Sequence, residues 1–278
     1  MQSRKLAVKA MCTAVATIAL GTGAALADCK PAHEFTTVTP GVLTVAVTSY
    51  PPSSHVDDTG AAKGYDNDIL AEFARRECLE VKSVSVDPAA AIQYVLSGQA
   101  DLSTGSWYRT AERAKVMNLS APIYKDQMGV YSAEGFSALS EFEGQPIGTV
   151  QGYNWVTDVR KIFGDNLKLY PSSVNLQQDI RIGRIKAGLD GYASGAYAEQ
   201  QGALDGLKAR VIAPDERVKA TTALPQVGYP YHKKNTALGT ALDANIAAMH
   251  ADGTIVGILT GYGLSADAAD VGEPTLIQ

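Results

Sequence analysis

An arginine and several hydroxyl-bearing side chains lie close together in the first half of the chain. Thr110 can cap a short helix, and Arg113 follows in the first turn of that helix. A guanidinium offers a bidentate fork to a carboxylate, and a helix N-terminus adds partial positive charge for the same anion. Ser106 adds a hydroxyl and a backbone N–H at the end of a predicted strand, where α/β folds open their crevices. This spacing favours the binding of an anion, and the alternative is an exposed arginine that pairs with Glu112 or Asp126.

Motifs of known catalytic or cofactor sites are missing from the sequence. It contains no G-x-x-x-x-G-K-[ST] phosphate loop, no G-x-S-x-G nucleophile elbow and no H-E-x-x-H zinc motif. The carboxylates at Asp57-Asp58 and at Asp66 and Asp68 lack the glycine and the terminal glutamate of a calcium loop. We therefore expect no cofactor and no metal, and binding rather than catalysis.

The first 27 residues have the pattern of a secretory signal peptide that is cleaved from the mature protein. Its parts are a basic start (Arg4, Lys5, Lys9), an apolar run (Met11 to Leu20) and an A-x-A cleavage site (Ala25-Leu26-Ala27). The apolar run is short for a membrane span and rich in Ala and Thr, although an uncleaved anchor is the alternative. The segment predicts export to the periplasm.

Loss of this segment makes the chain more acidic. It removes three positive charges and no acidic residue, which takes the formal charge from −5 to −8. An acidic chain argues against nucleic acid and anionic membranes as partners.

Two cysteines, Cys29 and Cys78, remain after the signal peptide is removed. In an oxidising compartment such a pair predicts a disulfide, which here would fasten a loose N-terminus to the end of a helix. Two free thiols are the alternative. A lipid on Cys29 is also conceivable, but Asp28 stands where a lipidation motif needs a small uncharged residue.

Short apolar runs rich in β-branched residues alternate with amphipathic stretches, which is the pattern of an α/β protein. In the first half we predict strands over 43–47, 81–86 and 102–104 and helices over 66–74 and 89–96. The same pattern restarts at residue 147, with helices over 155–163, 176–187 and 196–204 and strands over 147–150, 167–170, 189–193 and 209–213. A last long helix is predicted over 238–250. No linker rich in Pro or Ser separates the two sets, so two lobes joined by strands are favoured.

The segment GQADLSTGSWYRTAERAKVMNLSAPIY, residues 98–124, resembles the signature of the family 3 extracellular solute-binding proteins, the polar-amino-acid receptors of ABC importers. The matching features are a strand that ends in Asp101, a Thr-x-x-Arg at Thr110 to Arg113, and an end that runs from Ser120 to Tyr124. Four further pieces follow the family pattern in order: GYDNDILAEFA, AGLDGYASG, LPQVGYPYHKKN and IAAMHADGTIVGIL. The resemblance extends over about residues 41–263.

This resemblance implies a two-lobed periplasmic binding protein fold of type II, with a ligand crevice between lobes joined by two crossing segments. Lobe one would comprise residues 38–128 and 222–270, and lobe two residues 129–221. The protein would be a monomer that captures a small organic ligand and delivers it to the membrane permease of an ABC importer.

The family's ligand contacts, carried over position by position, indicate one set of site residues. Tyr50 would be the ligand aromatic, although a core or rim aromatic is the alternative. Arg113 would anchor the ligand, with small polar contacts from the same lobe and contacts from the start of a helix in the other lobe. The complete set is Tyr50, Gly105, Ser106, Tyr108, Arg113, Tyr153 and Asn154.

The sequence departs from the family pattern at two ligand positions. Ala89 stands where the usual ring covers the ligand, and Gly195 stands where an acidic residue pairs with the ammonium of an amino acid. An ammonium without a counter-ion is costly to bury, so we expect an anionic ligand rather than an ordinary amino acid. The predicted crevice is aromatic instead, with Tyr108, Tyr153, Trp155 and Tyr192.

Two other functions compete with the importer receptor. One is an accessory or sensor protein, for example the partner of a quinoprotein dehydrogenase. The other is an enzyme on the same scaffold, like the cyclohexadienyl dehydratases, which would need a general acid or base in the crevice.

Overall fold

Residues 29–223 and 225–278 are described by a computed structural model of the chain. The predicted signal peptide lies outside these residues. The described chain forms two separate five-stranded sheets, each packed with helices, so the α/β class and the two-lobed architecture are confirmed. Among the described residues, no helix has the length and apolar character that a bilayer crossing needs.

The first sheet forms the centre of the first lobe. Its strands are β1 (Val42–Thr48), β4 (Glu80–Val86), β5 (Leu102–Thr104), β6 (Asn118–Leu119) and β14 (Pro230–Tyr231), in the order β4-β1-β5-β14-β6. A short hairpin, β2 (His55–Val56) with β3 (Ala62–Lys63), follows β1. Strand β1 runs parallel to both β4 and β5, which requires a crossover on each side. The carboxyl end of β1 therefore meets that of β5 at one edge of the sheet.

The second sheet has the same number of strands. They are β8 (Met128–Ser132), β9 (Ile147–Val150), β10 (Leu167–Tyr170), β11 (Ala187–Gly191) and β12 (Lys208–Val211), in the order β10-β9-β11-β8-β12. Strands β9, β10 and β11 are parallel, whereas β8 and β12 run antiparallel to their neighbours.

Two short strands cross between the lobes. They are β7 (Tyr124–Lys125) and β13 (Gln226–Val227), and they pair with each other in antiparallel register. The backbone N–H of Asp126 also donates to the carbonyl of Pro225 at 3.0 Å. A paired crossing of this kind is a hinge about which two lobes can rotate.

Nine helices cover the sheets within the described chain. They are α1 (Tyr65–Arg76), α2 (Pro88–Leu96), α3 (Ala111–Val116), α4 (Val156–Phe163), α5 (Ser173–Arg181), α6 (Tyr192–Gln200), α7 (Lys219–Thr222), α8 (Thr236–Ala251) and α9 (Thr254–Gly261). Helix α1 shows why they pack as they do, since Ile69, Leu70 and Phe73 recur at helical spacing and all three are buried.

The predicted disulfide between Cys29 and Cys78 is present, with a Cα–Cα distance of 5.7 Å. It fastens the N-terminal segment to the turn that follows α1. Glu77 strengthens the attachment, since its carboxylate accepts hydrogen bonds from the backbone N–H groups of Ala32 and His33. The sulfur of Cys29 is used in this bond and is not available for a thioether lipid.

Two of the predicted helices were placed too late in the chain. The helix predicted over 176–187 is α5, which ends at Arg181 because Gly183 takes a φ of +71°. Gly188, which directly follows the predicted helix, lies inside β11, where an added Cβ would come within 2.5 Å of the Ile180 side chain. The helix predicted over 196–204 is α6, and Gly202 has a φ of +68° just beyond it.

Candidate functional site

A narrow crevice lies between the two lobes, and all seven predicted site residues line it. The full lining is Thr48, Ser49, Tyr50, Pro88, Gly105, Ser106, Trp107, Tyr108, Arg113, Tyr153, Asn154 and Trp155. The first lobe supplies the loops after β1 and β5 and the starts of α2 and α3, and the second lobe supplies the turn between β9 and α4. The free volume between these walls is about 20 Å³, which is room for a single water molecule.

Among the described residues that line the crevice, Arg113 is the only basic one, and the residue is 9% exposed. Thr110 caps α3 as predicted, since its hydroxyl accepts the backbone N–H of Arg113 at 3.2 Å. The guanidinium donates to the carbonyl of Tyr108 at 2.7 Å and lies over the ring of Trp107, 4.7 Å from the centroid. No carboxylate of the described chain lies within 4 Å of it. Burial lowers the pKa of Arg113 to about 10.

The polar groups of the turn at Gly105 and Ser106, predicted to bind the ligand, are hydrogen bonded to other residues of the first lobe. Both backbone N–H groups donate to one carboxylate oxygen of Asp66, at 2.7 and 3.1 Å. The Ser106 hydroxyl is hydrogen bonded to Ser53 and Tyr124. The polar groups predicted to face a ligand here are therefore used inside the first lobe. Ser106 has a φ of +54°, a strained conformation for a residue with a side chain.

The lobes touch directly at the position of the missing family ring. An added Cβ at Gly152, in the turn after β9, would lie 3.3 Å from the backbone of Pro88 and of Ala89. Across the same gap, the Arg113 guanidinium lies 3.5 Å from the carbonyl oxygen of Gly152. The small residues at 89 and 152 thus let the two walls approach closely.

A second contact between the lobes is made by Tyr50, whose side chain is 4% exposed. Its hydroxyl donates to Asp126 Oδ2 at 3.0 Å, and its ring meets that of Tyr153 edge-on at 6.2 Å. The same hydroxyl occupies the space beside Gly191, where an added Cβ would lie 1.0 Å from it.

Two buried aspartates lie behind this contact, and the sequence did not indicate them as site residues, since Asp126 was considered only as the partner of an exposed arginine. Asp126 and Asp190 are 3% and 0% exposed. Burial raises the pKa of Asp126 to about 7, against the hydrogen bond from Tyr50, and raises that of Asp190 to about 6. Tyr153 donates to Asp190 Oδ1 at 3.0 Å, whereas Asp190 Oδ2 and the hydroxyl of Tyr108 have no hydrogen-bond partner in the described chain.

Two second-lobe residues that the sequence placed at the ligand site, Tyr192 and Gly195, lie outside the crevice. Tyr192, expected in the crevice, lines a different cavity of about 730 Å³ next to the crossing strands, together with Tyr197 and Tyr262. Gly195 is absent from the crevice lining and packs under Tyr131, whose Cε1 would lie 2.2 Å from an added Cβ. The buried Tyr131 ring therefore excludes a carboxylate at position 195.

The chain belongs to the bacterial extracellular solute-binding proteins, family 3, whose model matches residues 43–265. This confirms the resemblance noted in the sequence.

Solved structures share the fold at low sequence identity. An ancestral arginine-binding protein bound to arginine matches with a TM-score of 0.70 and 22% identity, covering 80% of this chain and 98% of its own. A solute receptor for L-cysteine of Neisseria gonorrhoeae matches with a TM-score of 0.67 and 21% identity, covering 86% and 98%. An ancestral amino-acid-binding protein, described as a precursor of cyclohexadienyl dehydratase, matches with a TM-score of 0.69 and 17% identity, covering 80% and 95%.

Proposed function

We propose that this protein is a periplasmic receptor that captures a small carboxylate-bearing ligand in the crevice and delivers it to the permease of an ABC importer. The observation that carries the proposal is the buried guanidinium of Arg113, which has no acidic partner in the described chain. A buried, uncompensated cation is costly, and a bound carboxylate would supply the missing charge. The fork geometry of arginine matches a carboxylate in a way that lysine does not.

The remaining crevice residues would shape the ligand's body. Five of the twelve lining residues are aromatic, and the Trp155 ring meets those of Tyr108 and Tyr153 edge-to-face at centroid distances of 5.7 and 4.9 Å. The two buried aspartates add negative charge rather than positive charge. Burial raises the pKa of both, and neither is among the residues that line the crevice.

The proposal also covers the lobe boundaries, the oligomeric state and the cellular compartment of the protein. Lobe one comprises 38–128 and 222–270, lobe two comprises 129–221, and the protein acts as a monomer after cleavage of residues 1–27 in the periplasm. The disulfide supports an oxidising compartment. The ligand is bound and released without being transformed.

A second candidate is an accessory or sensor protein that binds a protein partner instead of serving a permease. The observation that favours it is the closeness of the walls, which leave about 20 Å³ where ligand clefts usually have several hundred. The dehydratase-like alternative has less support.

Native mass spectrometry of the protein purified from its own periplasm tests the ligand. We expect an adduct of low mass that carries a carboxylate and is lost on denaturation. The identified compound is then followed in uptake assays of cells with and without the gene. Uptake that does not depend on the gene, or a purified protein that carries only a protein partner, would favour the accessory role.

A further inference from the structure

We propose that Tyr50 holds the two lobes closed against each other, so that the protein shuts its own crevice before a ligand enters. This assigns Tyr50 a role in conformational control rather than in ligand contact alone. We call the interaction of Tyr50 with Asp126 and Gly191 the Tyr50 contact.

The residues of the Tyr50 contact come from different parts of the fold. Tyr50 follows β1 of the first lobe. Gly191 ends β11 of the second sheet, and Asp126 precedes β8 of the same sheet. The carbonyl of Gln127 accepts the backbone N–H of Tyr192 at 2.7 Å, which keeps the Asp126 segment with the second sheet. Asp126 directly follows the crossing strand β7, so it lies at the boundary of the two lobes even though the proposed lobe one extends to residue 128. A rotation that separates the lobes must move the Tyr50 hydroxyl away from Gly191, and it also moves it away from Asp126 because that segment is bonded to the second sheet.

The fit at Gly191 is specific to this arrangement. Gly191 has a φ of −69°, which any residue adopts, so the backbone conformation does not require glycine there. The requirement comes from the Tyr50 ring, since an added Cβ would lie 1.0 Å from its hydroxyl oxygen and 2.3 Å from Cζ. The second lobe thus has a gap that matches the end of the Tyr50 side chain.

The closed conformation excludes an organic ligand. With the Tyr50 contact made, the walls leave about 20 Å³, and Gly152 rests against Pro88 and Ala89. A ligand must wait for the open form, and its apparent affinity is reduced by the fraction of molecules that are open. The strength of the Tyr50 contact then affects the affinity and the rate of capture independently of any contact that Tyr50 makes with the ligand.

The experiment uses the full mature protein, stripped of bound molecules by unfolding, dialysis and refolding. Both tryptophans of the chain, Trp107 and Trp155, line the crevice and are 4% and 3% exposed. Their quenching by acrylamide therefore reports opening, and small-angle scattering reports the overall size. We expect low quenching and a compact particle for the wild type. Tyr50→Phe, which loses one hydrogen bond to a carboxylate, should shift the closed-to-open ratio about tenfold toward open.

Tyr170→Phe is the matched control, because its hydroxyl also donates to one aspartate, Asp179, at 2.8 Å but outside the crevice. It should behave as the wild type does. Gly191→Ala should shift the equilibrium toward the open form more than Tyr50→Phe does. If the Gly191→Ala protein does not fold, the comparison of Tyr50→Phe with the wild type is the test. Equal quenching and size for the wild type and Tyr50→Phe, whether both closed or both open, would overturn the proposal. Because no ligand is added, this result is independent of the ligand class and of the permease.

Discussion

The hydroxyl of Tyr153 donates a 3.0 Å hydrogen bond to Asp190, which joins an aromatic residue of the crevice wall to a fully buried carboxyl group. Asp66, under the turn at Gly105 and Ser106, and Asp126, beside Tyr50, are buried as well. Three carboxyl groups without a basic partner among the described residues make the site sensitive to pH.

Stability should therefore fall as the pH rises from 5 to 8. Burial raises the pKa of Asp66 and Asp190 to about 6 and that of Asp126 to about 7, above the value of about 3.9 expected for the unfolded chain. The folded protein holds these protons more tightly, so the stabilisation is complete below pH 4 and is lost as the pH passes 6 to 7. Acids with lowered pKa values, such as Glu72 at about 2, change the stability only at pH values below this range.

Urea unfolding at pH 5, 6, 7 and 8 measures this slope. Asp190→Asn should flatten it by about 1.4 kcal/mol across the window, since pH 5 lies one unit below the folded pKa of about 6 and each pKa unit corresponds to about 1.4 kcal/mol. Asp58→Asn, at an exposed loop position, should keep the wild-type slope. A stability that rises from pH 5 to pH 8 in the wild type would contradict the prediction.

Loss of the Cys29–Cys78 disulfide should destabilise the protein by at most about 4 kcal/mol, the loop-closure value for residues 49 apart. Cys29→Ser/Cys78→Ser and the reduced wild type should unfold at the same urea concentration, below that of the oxidised protein. The oxidised protein, denatured without reductant, should react with no thiol reagent after signal removal. Two labelled cysteines would show that the bond does not form.

Restoring the acid of the family pattern at Gly195 should not create an ammonium site. The new side chain would meet Tyr131 within 2.2 Å and bury a charge, so Gly195→Asp should destabilise by about 1–3 kcal/mol or more. Gly257→Ala in α9 is the contrasting case, because no atom lies within 4 Å of the added Cβ and φ is not positive there. It should stabilise the helix by about 0.5–1 kcal/mol. Thermal unfolding compares both, and a stable Gly195→Asp protein that gains affinity for amino acids would refute the steric argument.

Local patterns predicted the parts of the site that depend on neighbouring residues in the sequence. The cap at Thr110 and the position of Arg113 at a helix start follow from residue types and short spacing. The family pattern brought Tyr50 and Tyr153 to one crevice because it carries the fold with it. The strands at 147–150 and 167–170 match β9 and β10, since a β-branched or alternating run limits the choice.

Contacts between distant segments were the part that the sequence could not indicate. The sequence suggested Asp126 as a surface partner for an arginine, but it is buried and accepts a hydrogen bond from Tyr50, which lies 76 positions earlier. Whether a carboxylate is buried is decided by how lobes meet, and residue type says little about it. The ends of α5 and α6 were displaced for a smaller reason, because any of several glycines could have stopped each helix.

Arg113 should be the dominant anchor for a carboxylate, and its replacement tests the ligand class directly. Arg113→Lys keeps the charge but loses the planar fork, so affinity for the compound found by mass spectrometry should fall at least about tenfold, or about 1.4 kcal/mol. Arg113→Ala should abolish measurable binding while the protein remains folded, because the guanidinium's protein hydrogen bonds are to backbone carbonyls and not to a charged partner. Arg160→Lys, at an exposed position of α4, is the control and should bind as the wild type does. Calorimetry against a panel of amino acids and organic acids measures all four proteins. Micromolar binding of a common amino acid that survives Arg113→Ala would show that both the anchor and the ligand class are wrong.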